Sequence, residues 1–327
     1  MRILAVVALA LITSSNLAIK AQNATTNLAN VQFVSVAKDV QLEVVDWGGT
    51  GRPLVLLAGM GNTAHIFDAF APKLVAKFHV VGITRRGFAP SSIPDSIEAN
   101  YSARRLGEDV MSVIHSLKLE KPLVAGHSIA GEELSYLGTT YPQEIAGLIY
   151  LDAGFPYAYY DESRGDLWID ANTVRHKLER LLVPDDTNEE INLIKRLQTV
   201  YLPALERDLQ QRGKLLAAMP DNQLTLDAYT TGVVSAILSG LTKFSTVKCP
   251  ALAIFAWPHD FSSQGVSPEQ RAVMESADAE NNSPIKSFEQ GNPQAHVVVI
   301  AHADHYVFKS NEADVLREID VFAASLK

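Results

Sequence analysis

The sequence predicts an α/β fold built on a mostly parallel eight-stranded sheet, with helices on both faces and an inserted helical subdomain. Three observations predict it. Six stretches are near-continuous apolar runs, the pattern of strands buried on both faces of a parallel sheet. Helix-period segments alternate with most of them. A hairpin comes before them, and one long helical interval with no convincing strand interrupts the series.

The hairpin is VQFVSVA (31 to 37) and VQLEVVDWG (40 to 48), which alternate apolar and polar residues around Lys38-Asp39. The buried runs are PLVLLAG (53 to 59), FHVVGIT (78 to 84), KPLVAG (121 to 126), IAGLIYLDA (145 to 153), CPALAIFA (249 to 256) and AHVVVIA (295 to 301). Helical periodicity marks 64 to 76, 101 to 118, 129 to 140 and 311 to 326. Between Phe155 and Phe244 three further helix-period segments carry no strand signal, which places an inserted helical subdomain over 155 to 245 between two parts of a core, 31 to 154 and 246 to 327.

Composition narrows the function. The 327 residues are 47% hydrophobic and 20% charged, enough for a sizeable core. With 28 basic against 37 acidic side chains the net charge is −9, which argues against a nucleic-acid partner and favours a small-molecule substrate. Cys249 is the single cysteine, so an internal disulfide and a cysteine-rich zinc module are both excluded. Arg2 followed by the ten apolar residues Ile3 to Ile12 and a polar, small-residue stretch has the layout of a secretory signal over 1 to 21, with cleavage after Ala18 or Ala21. An uncleaved anchor is the alternative. The expectation is export to the periplasm or medium, with no membrane span in the mature chain.

The turn LLAGMGNTAH follows a buried strand, and its Gly59, Gly61 and Ala64 satisfy a relaxed dinucleotide fingerprint. The next strand ends in Thr84-Arg85-Arg86 instead of an acidic residue, which would suit only a phosphorylated ribose and so an NADPH-dependent reductase. The same turn offers a second use, aiming the Met60 N–H at a developing oxyanion.

LVAGHSIAGEEL sets Ser128 between a strand and a helix, with Gly126 before it and Ala130 and Gly131 after it. Small residues at those places allow the strained turn of a nucleophile elbow, and the Ile129 N–H at the helix start supplies a second oxyanion donor. A serine hydroxyl needs an imidazole to take its proton, and the imidazole needs an orienting carboxylate. His305 follows the last strand and is the first choice as base, with His302 as competitor. Asp260, after the strand ALAIFA, gives the order serine, acid, histidine; Asp152, closing the preceding strand, is the alternative acid. No H-E-x-x-H occurs, and the loose set His302, Asp304 and His305 is a poor metal site. Glu132 and Glu133 read as helix-face charges, and His127 and His259 as packed or surface residues.

This ordered set resembles the α/β-hydrolase superfamily from about Val31 to Leu326. LLAGMGN stands at the family's histidine-glycine oxyanion segment, with Ala58 for histidine. ITRRGFAPSS resembles its D-x-R-G-x-G-x-S segment, with Thr84 and Ala89 replacing aspartate and glycine. GHSIAG and ADHYVF match the nucleophile and histidine segments. The resemblance implies an α/β-hydrolase fold and acyl transfer to water through Ser128, His305 and Asp260 without a cofactor, as in a carboxylesterase. Serine in place of aspartate disfavours dehalogenase and epoxide-hydrolase chemistry. It also implies that Phe155, Tyr157 and Tyr159, beside Tyr160 and Trp168, line a substrate pocket or pack cap against core. A non-catalytic ligand-binding member of the fold is the remaining alternative, which an assembled triad argues against.

Overall fold

A computed structural model describes residues 29 to 217, 232 to 265, 267 to 279 and 282 to 326. The expected signal segment lies outside them, as does the start of the last helical segment of the cap. Eight strands form one sheet in the order β1-β2-β4-β3-β5-β6-β7-β8. They are β1 (Asn30–Ala37), β2 (Val40–Gly48), β3 (Arg52–Leu57), β4 (Phe78–Ile83), β5 (Leu123–His127), β6 (Gly147–Leu151), β7 (Ala251–Ala256) and β8 (His296–Ile300). The β1–β2 hairpin turns at Asp39, whose φ is 60°, and β2 pairs antiparallel with β4. Every later pairing is parallel.

The apolar runs are continuous because both faces are covered. Along β3, Val55 and Leu57 point to one core and Leu54 and Leu56 to the other, the two-residue period of a pleated strand. On the first face lie α1 (Ala103–Ser116) and α2 (Gly131–Thr140), contributing Val110, Ile114, Leu134 and Leu137. The cap interval carries α3 (Leu167–Leu181), α4 (Thr187–Arg196), α5 (Leu202–Ala217) and α6 (Gly232–Ser239). Its two ends meet where Tyr160 N–H donates to the Phe244 carbonyl at 2.7 Å. After β7 come α7 (Pro268–Ala279) and α8 (Ser283–Gly291), and α9 (Glu312–Ser325) closes the second face with Val315 and Ile319. Among the described residues no helix is long and apolar enough to cross a membrane.

Two helix expectations need correction. The segment 64 to 76 is not one helix but two short 3-10 turns, Ala64–Phe67 and Ala71–Lys73. Pro72 lacks the N–H that a continuing helix would use, and the Ala64 N–H is taken by Thr84 Oγ1 at 2.9 Å. Conversely, α7 and α8 went unmarked because their apolar stripes are thin. In α7 Met274 is buried while the adjacent Val273 is exposed.

The segment Thr84-Arg85-Arg86 is a structural clamp. Thr84 donates to Glu43 at 2.5 Å and its carbonyl accepts from Ser91 at 2.6 Å. Arg86, 2% exposed, holds Asp109 through two bonds of 2.6 Å. Removing one partner of such a buried pair strands a charge, which costs far more than the pair itself contributes. Asp109→Ala is therefore expected to lose about 3–5 kcal/mol in urea unfolding, and the double variant Asp109→Leu/Arg86→Met to recover much of that loss.

Candidate active site

Strand β5 ends at His127, and Ser128 then adopts φ 54°, a left-handed conformation that a non-glycine residue holds only when its surroundings force it. The chain continues directly as a 3-10 turn, Ser128–Ala130, into α2. A Cβ on Gly126 would lie 3.0 Å from the Ala130 Cβ, and one on Gly131 would lie 2.1 Å from the Ala153 carbonyl oxygen. The small residues are thus required by the approach of strand, turn and helix, and alanine at 130 still fits.

The turn after β3 lies against the serine. A Cβ on Gly59 would be 3.2 Å from the Ser128 Cβ. Arg85 holds this turn by donating to the Ala58 carbonyl at 2.9 Å, while Glu133 receives its Nε and Nη2 at 2.7 and 2.6 Å. Asn62 Nδ2 donates to the Met60 carbonyl at 3.2 Å and to the Tyr306 hydroxyl at 3.1 Å. Met60 is thereby fixed beside the nucleophile turn, and the Ile129 N–H belongs to the first helical turn, whose amides have no partner within the helix. With Arg85 on Glu133 and Arg86 on Asp109, both buried, neither guanidinium of this segment is left for a ribose phosphate, which removes the basis of the reductase reading. Glu132 and Glu133 are not surface charges either. Both are buried; Glu133 anchors Arg85, and neither oxygen of Glu132 has a hydrogen-bond partner. Burial and the adjacent Glu133 push the Glu132 carboxyl well up, toward its neutral form.

His305, 3% exposed, donates from Nδ1 to Asp152 Oδ2 at 2.6 Å. Asp152 directly follows β6, has φ 47° and is fully buried. The expected acid, Asp260, is not brought to His305. Its oxygens receive the Ser262 N–H and hydroxyl at 2.8 Å each, and its own N–H donates to the Ala303 carbonyl. The carboxylate beside His305 is the alternative, Asp152. The loop after β7 turns His259 inward and Asp260 outward, a choice of one residue that chain order does not register. His302 is exposed at φ 57°, away from this pairing. Asp304 binds the Tyr306 N–H at 2.8 Å and stabilises the turn that presents His305.

Two histidines read as packing residues contribute to the site. His127 donates from Nε2 to the His305 carbonyl at 3.0 Å, with the two rings 4.5 Å apart, so the residue preceding Ser128 seats the candidate base. Burial and the neighbouring His305 lower its pKa well below the ordinary histidine value and keep it neutral. His259 lies between Asp152 Oδ2, 2.8 Å from Nε2, and Asp278 Oδ1, 2.9 Å from Nδ1. Although burial opposes the charge, the two carboxylates raise its pKa to about 10. The signal for His127 was adjacency to the serine; for His259 there was none.

Asp152, His259 and His305 are also the one group among the described residues with metal-ligating atoms clustered within 4.8 Å. The nitrogens, however, stand 2.6 and 2.8 Å from a single carboxylate oxygen. Ligands around a tetrahedral ion are about 3.3 Å apart, so these are hydrogen-bond separations and the residues as arranged do not fit a metal.

Of the expected pocket residues, Tyr157 lies at the site. Burial and the Asp152 charge push its hydroxyl well up, while its contact with Ser128 acts the other way. Phe155 packs on Tyr157 with ring centres 5.9 Å apart. Tyr159 does not join them: it packs on Phe288 and against Gly291 in α8, where a glycine leaves room for its ring. Tyr160 turns into the cap and donates to Asp170 at 2.6 Å, and Trp168 is exposed.

The match to known proteins agrees with this architecture. Residues 54 to 318 fit the family described as the alpha/beta hydrolase family. The chain belongs to that family. A fluoroacetate dehalogenase from Burkholderia sp is 30% identical over 117 residues, which are 35% of this chain and 38% of the relative. Epoxide hydrolase A of Mycobacterium tuberculosis is 36% identical over 90 residues, 27% of this chain and 28% of the relative. The matched segments thus span well under half of either relative. A thermophilic esterase from Thermogutta terrifontis has the same fold, with a TM-score of 0.56, 19% identity, and coverage of 90% of this chain and 98% of that one.

The raised pKa of His259 links its charge to stability. Its contribution is fully present below about pH 6.5, the value of an unfolded histidine, and is lost as pH rises through about 10. The stability gap between wild type and His259→Gln, measured by urea unfolding, is expected to be widest below pH 6.5 and to narrow steadily toward pH 10.

Proposed function

We propose that this hydrolase is a serine esterase that cleaves an ester-like bond in a small, moderately apolar substrate through an acyl-enzyme. The observation that carries the proposal is the left-handed Ser128 at the end of β5, whose chain neighbour His127 donates to the backbone of His305, a histidine with its Nδ1 committed to a buried carboxylate. That commitment leaves His305 Nε2 as the nitrogen available to the serine. Ser128 Oγ attacks the carbonyl carbon and its proton passes to His305 Nε2. The Met60 and Ile129 N–H groups hold the developing oxyanion. His305 returns the proton to the leaving alkoxide, and then activates water to release the acid and regenerate Ser128. Asp152 fixes the ring and its tautomer throughout.

A serine at 128 supports acyl transfer over the chemistry named in the two relatives, for which the family resemblance implies an aspartate at this position. Tyr157 and Phe155 offer an apolar wall beside the serine. The N-terminal layout supports export as part of the same proposal, and mass spectrometry of the N-terminus of exported protein should find cleavage after Ala18 or Ala21.

Ser128→Ala should lower turnover of p-nitrophenyl esters by about a thousandfold or more and abolish labelling by a fluorophosphonate probe. Labelling that persists in the variant would take the nucleophile role from Ser128. Asp152→Asn should fall by roughly a thousand- to ten-thousandfold, whereas Asp260→Asn should stay within about threefold of wild type. The reverse order would return the acid role to Asp260.

A further inference from the structure

We infer that His259 and Asp278 are positioning residues for the hydrolytic machinery: His259 is a fixed imidazolium, clamped by Asp278, that holds Asp152 ionised and aimed at His305. The inference rests on the proposed roles of Ser128, His305 and Asp152 and extends them two residues outward.

The geometry requires two protons on His259. Each ring nitrogen faces a carboxylate oxygen, Nε2 toward Asp152 at 2.8 Å and Nδ1 toward Asp278 at 2.9 Å. A neutral ring would set a lone pair against one of these anionic oxygens. Asp278 grips the residue twice, since its second oxygen accepts the His259 backbone N–H at 2.5 Å. Asp278 reaches the site from α7, and the same helix accepts the Trp257 indole N–H at the Asp278 carbonyl, 2.8 Å away. Other groups facing the assembly are His305, with its ring 6.3 Å from that of His259, and, around Asp152 and His305, Tyr157 and His127. Phe261 covers His259 with its ring centre 5.7 Å away.

The need for such a clamp follows from burial. Asp152 has no solvent exposure, and outside the two rings its oxygens receive the Ala256 N–H at 3.1 Å. Before the reaction His305 must be neutral to act as a base, so it cannot neutralise Asp152 in that state. An unpaired carboxylate at this depth would take up a proton instead. His259 supplies the missing cation in every state of His305. Because both rings share Asp152 Oδ2, the fixed cation keeps that oxygen anionic, and so able to accept from His305 Nδ1, at lower pH than a neutral side chain at 259 would.

The decisive experiment combines imidazole nitrogen spectroscopy with pH–rate profiles. In wild type, 1H–15N spectra should show one histidine with both nitrogens protonated at pH 8, absent from His259→Gln. The acidic limb of kcat/KM should move up by about one pH unit in His259→Gln, with maximal kcat within about tenfold of wild type because the amide still donates to Asp152. Asp278→Asn should move the limb the same way by less, and His259→Ala should lose more activity than His259→Gln. A merely structural role would lower unfolding midpoints and leave the limb in place; that result, or a His259 with one protonated nitrogen at pH 8, overturns the inference. Fluorophosphonate labelling of wild type separates the two readings. Unlabelled, ester-inactive wild type removes the hydrolytic reading and this inference with it, whereas labelled, active wild type with an unmoved limb in His259→Gln overturns the inference alone.

Discussion

A carboxylate without solvent contact is the constraint on which the arrangement of this site depends. Asp152 lies at the end of β6, between β5, which leads into Ser128, and β7, which leads to His259. A buried anion must be paired and hydrogen-bonded or lose its charge. Here the pairing comes from two imidazole rings and one backbone amide. The positions of His305 after β8 and His259 after β7 are therefore linked through one oxygen atom.

The sheet makes that meeting possible. In the parallel part of the sheet, β3, β5, β6, β7 and β8 present their carboxyl ends along one edge, so five loops distant in sequence converge there. Such an edge is where an open α/β sheet binds ligands. Ser128 comes from the loop after β5 and Asp152 from that after β6, both in left-handed conformations. Two strained non-glycine residues on adjacent strands mark the place where the fold gives up backbone comfort for side-chain direction. The surrounding clamps offset this cost: Arg85 ties the Ala58–Gly59 turn to α2 through Glu133, and His127 ties the Ser128 loop to the His305 loop.

Several charged residues that look like surface features are interior struts. Arg85, Arg86, Asp109, Glu132 and Glu133 are all buried. Arg85–Glu133 and Arg86–Asp109 are bidentate pairs, and Arg85 also holds the Ala58–Gly59 turn through the Ala58 carbonyl. The same pairings explain why a glycine-rich turn followed by two arginines, a pattern compatible with a dinucleotide phosphate, instead ties strand ends together in an α/β-hydrolase fold.

The sequence by itself determined the sheet, the strained turn at Ser128 and the place of His305 after the last strand. Unbroken apolar runs demand burial on both faces, and the elbow around Ser128 works only with small residues at 126, 130 and 131, so both are written locally. The histidine was legible because it follows the last strand. Tertiary structure alone decided which carboxylate meets His305 and what supports that carboxylate. Asp152 and Asp260 both follow strands in the right order, and what separates them is the side-chain direction of a single loop, which turns His259 inward and lets Asp260 bond to Ser262. The partners of His259 are likewise invisible in a one-dimensional reading, because Asp152 and Asp278 lie 107 and 19 residues away and α7 shows only a thin apolar stripe. Spacing along a chain fixes which strand end a residue occupies, whereas the direction of its charge is set by which buried partner is there to receive it.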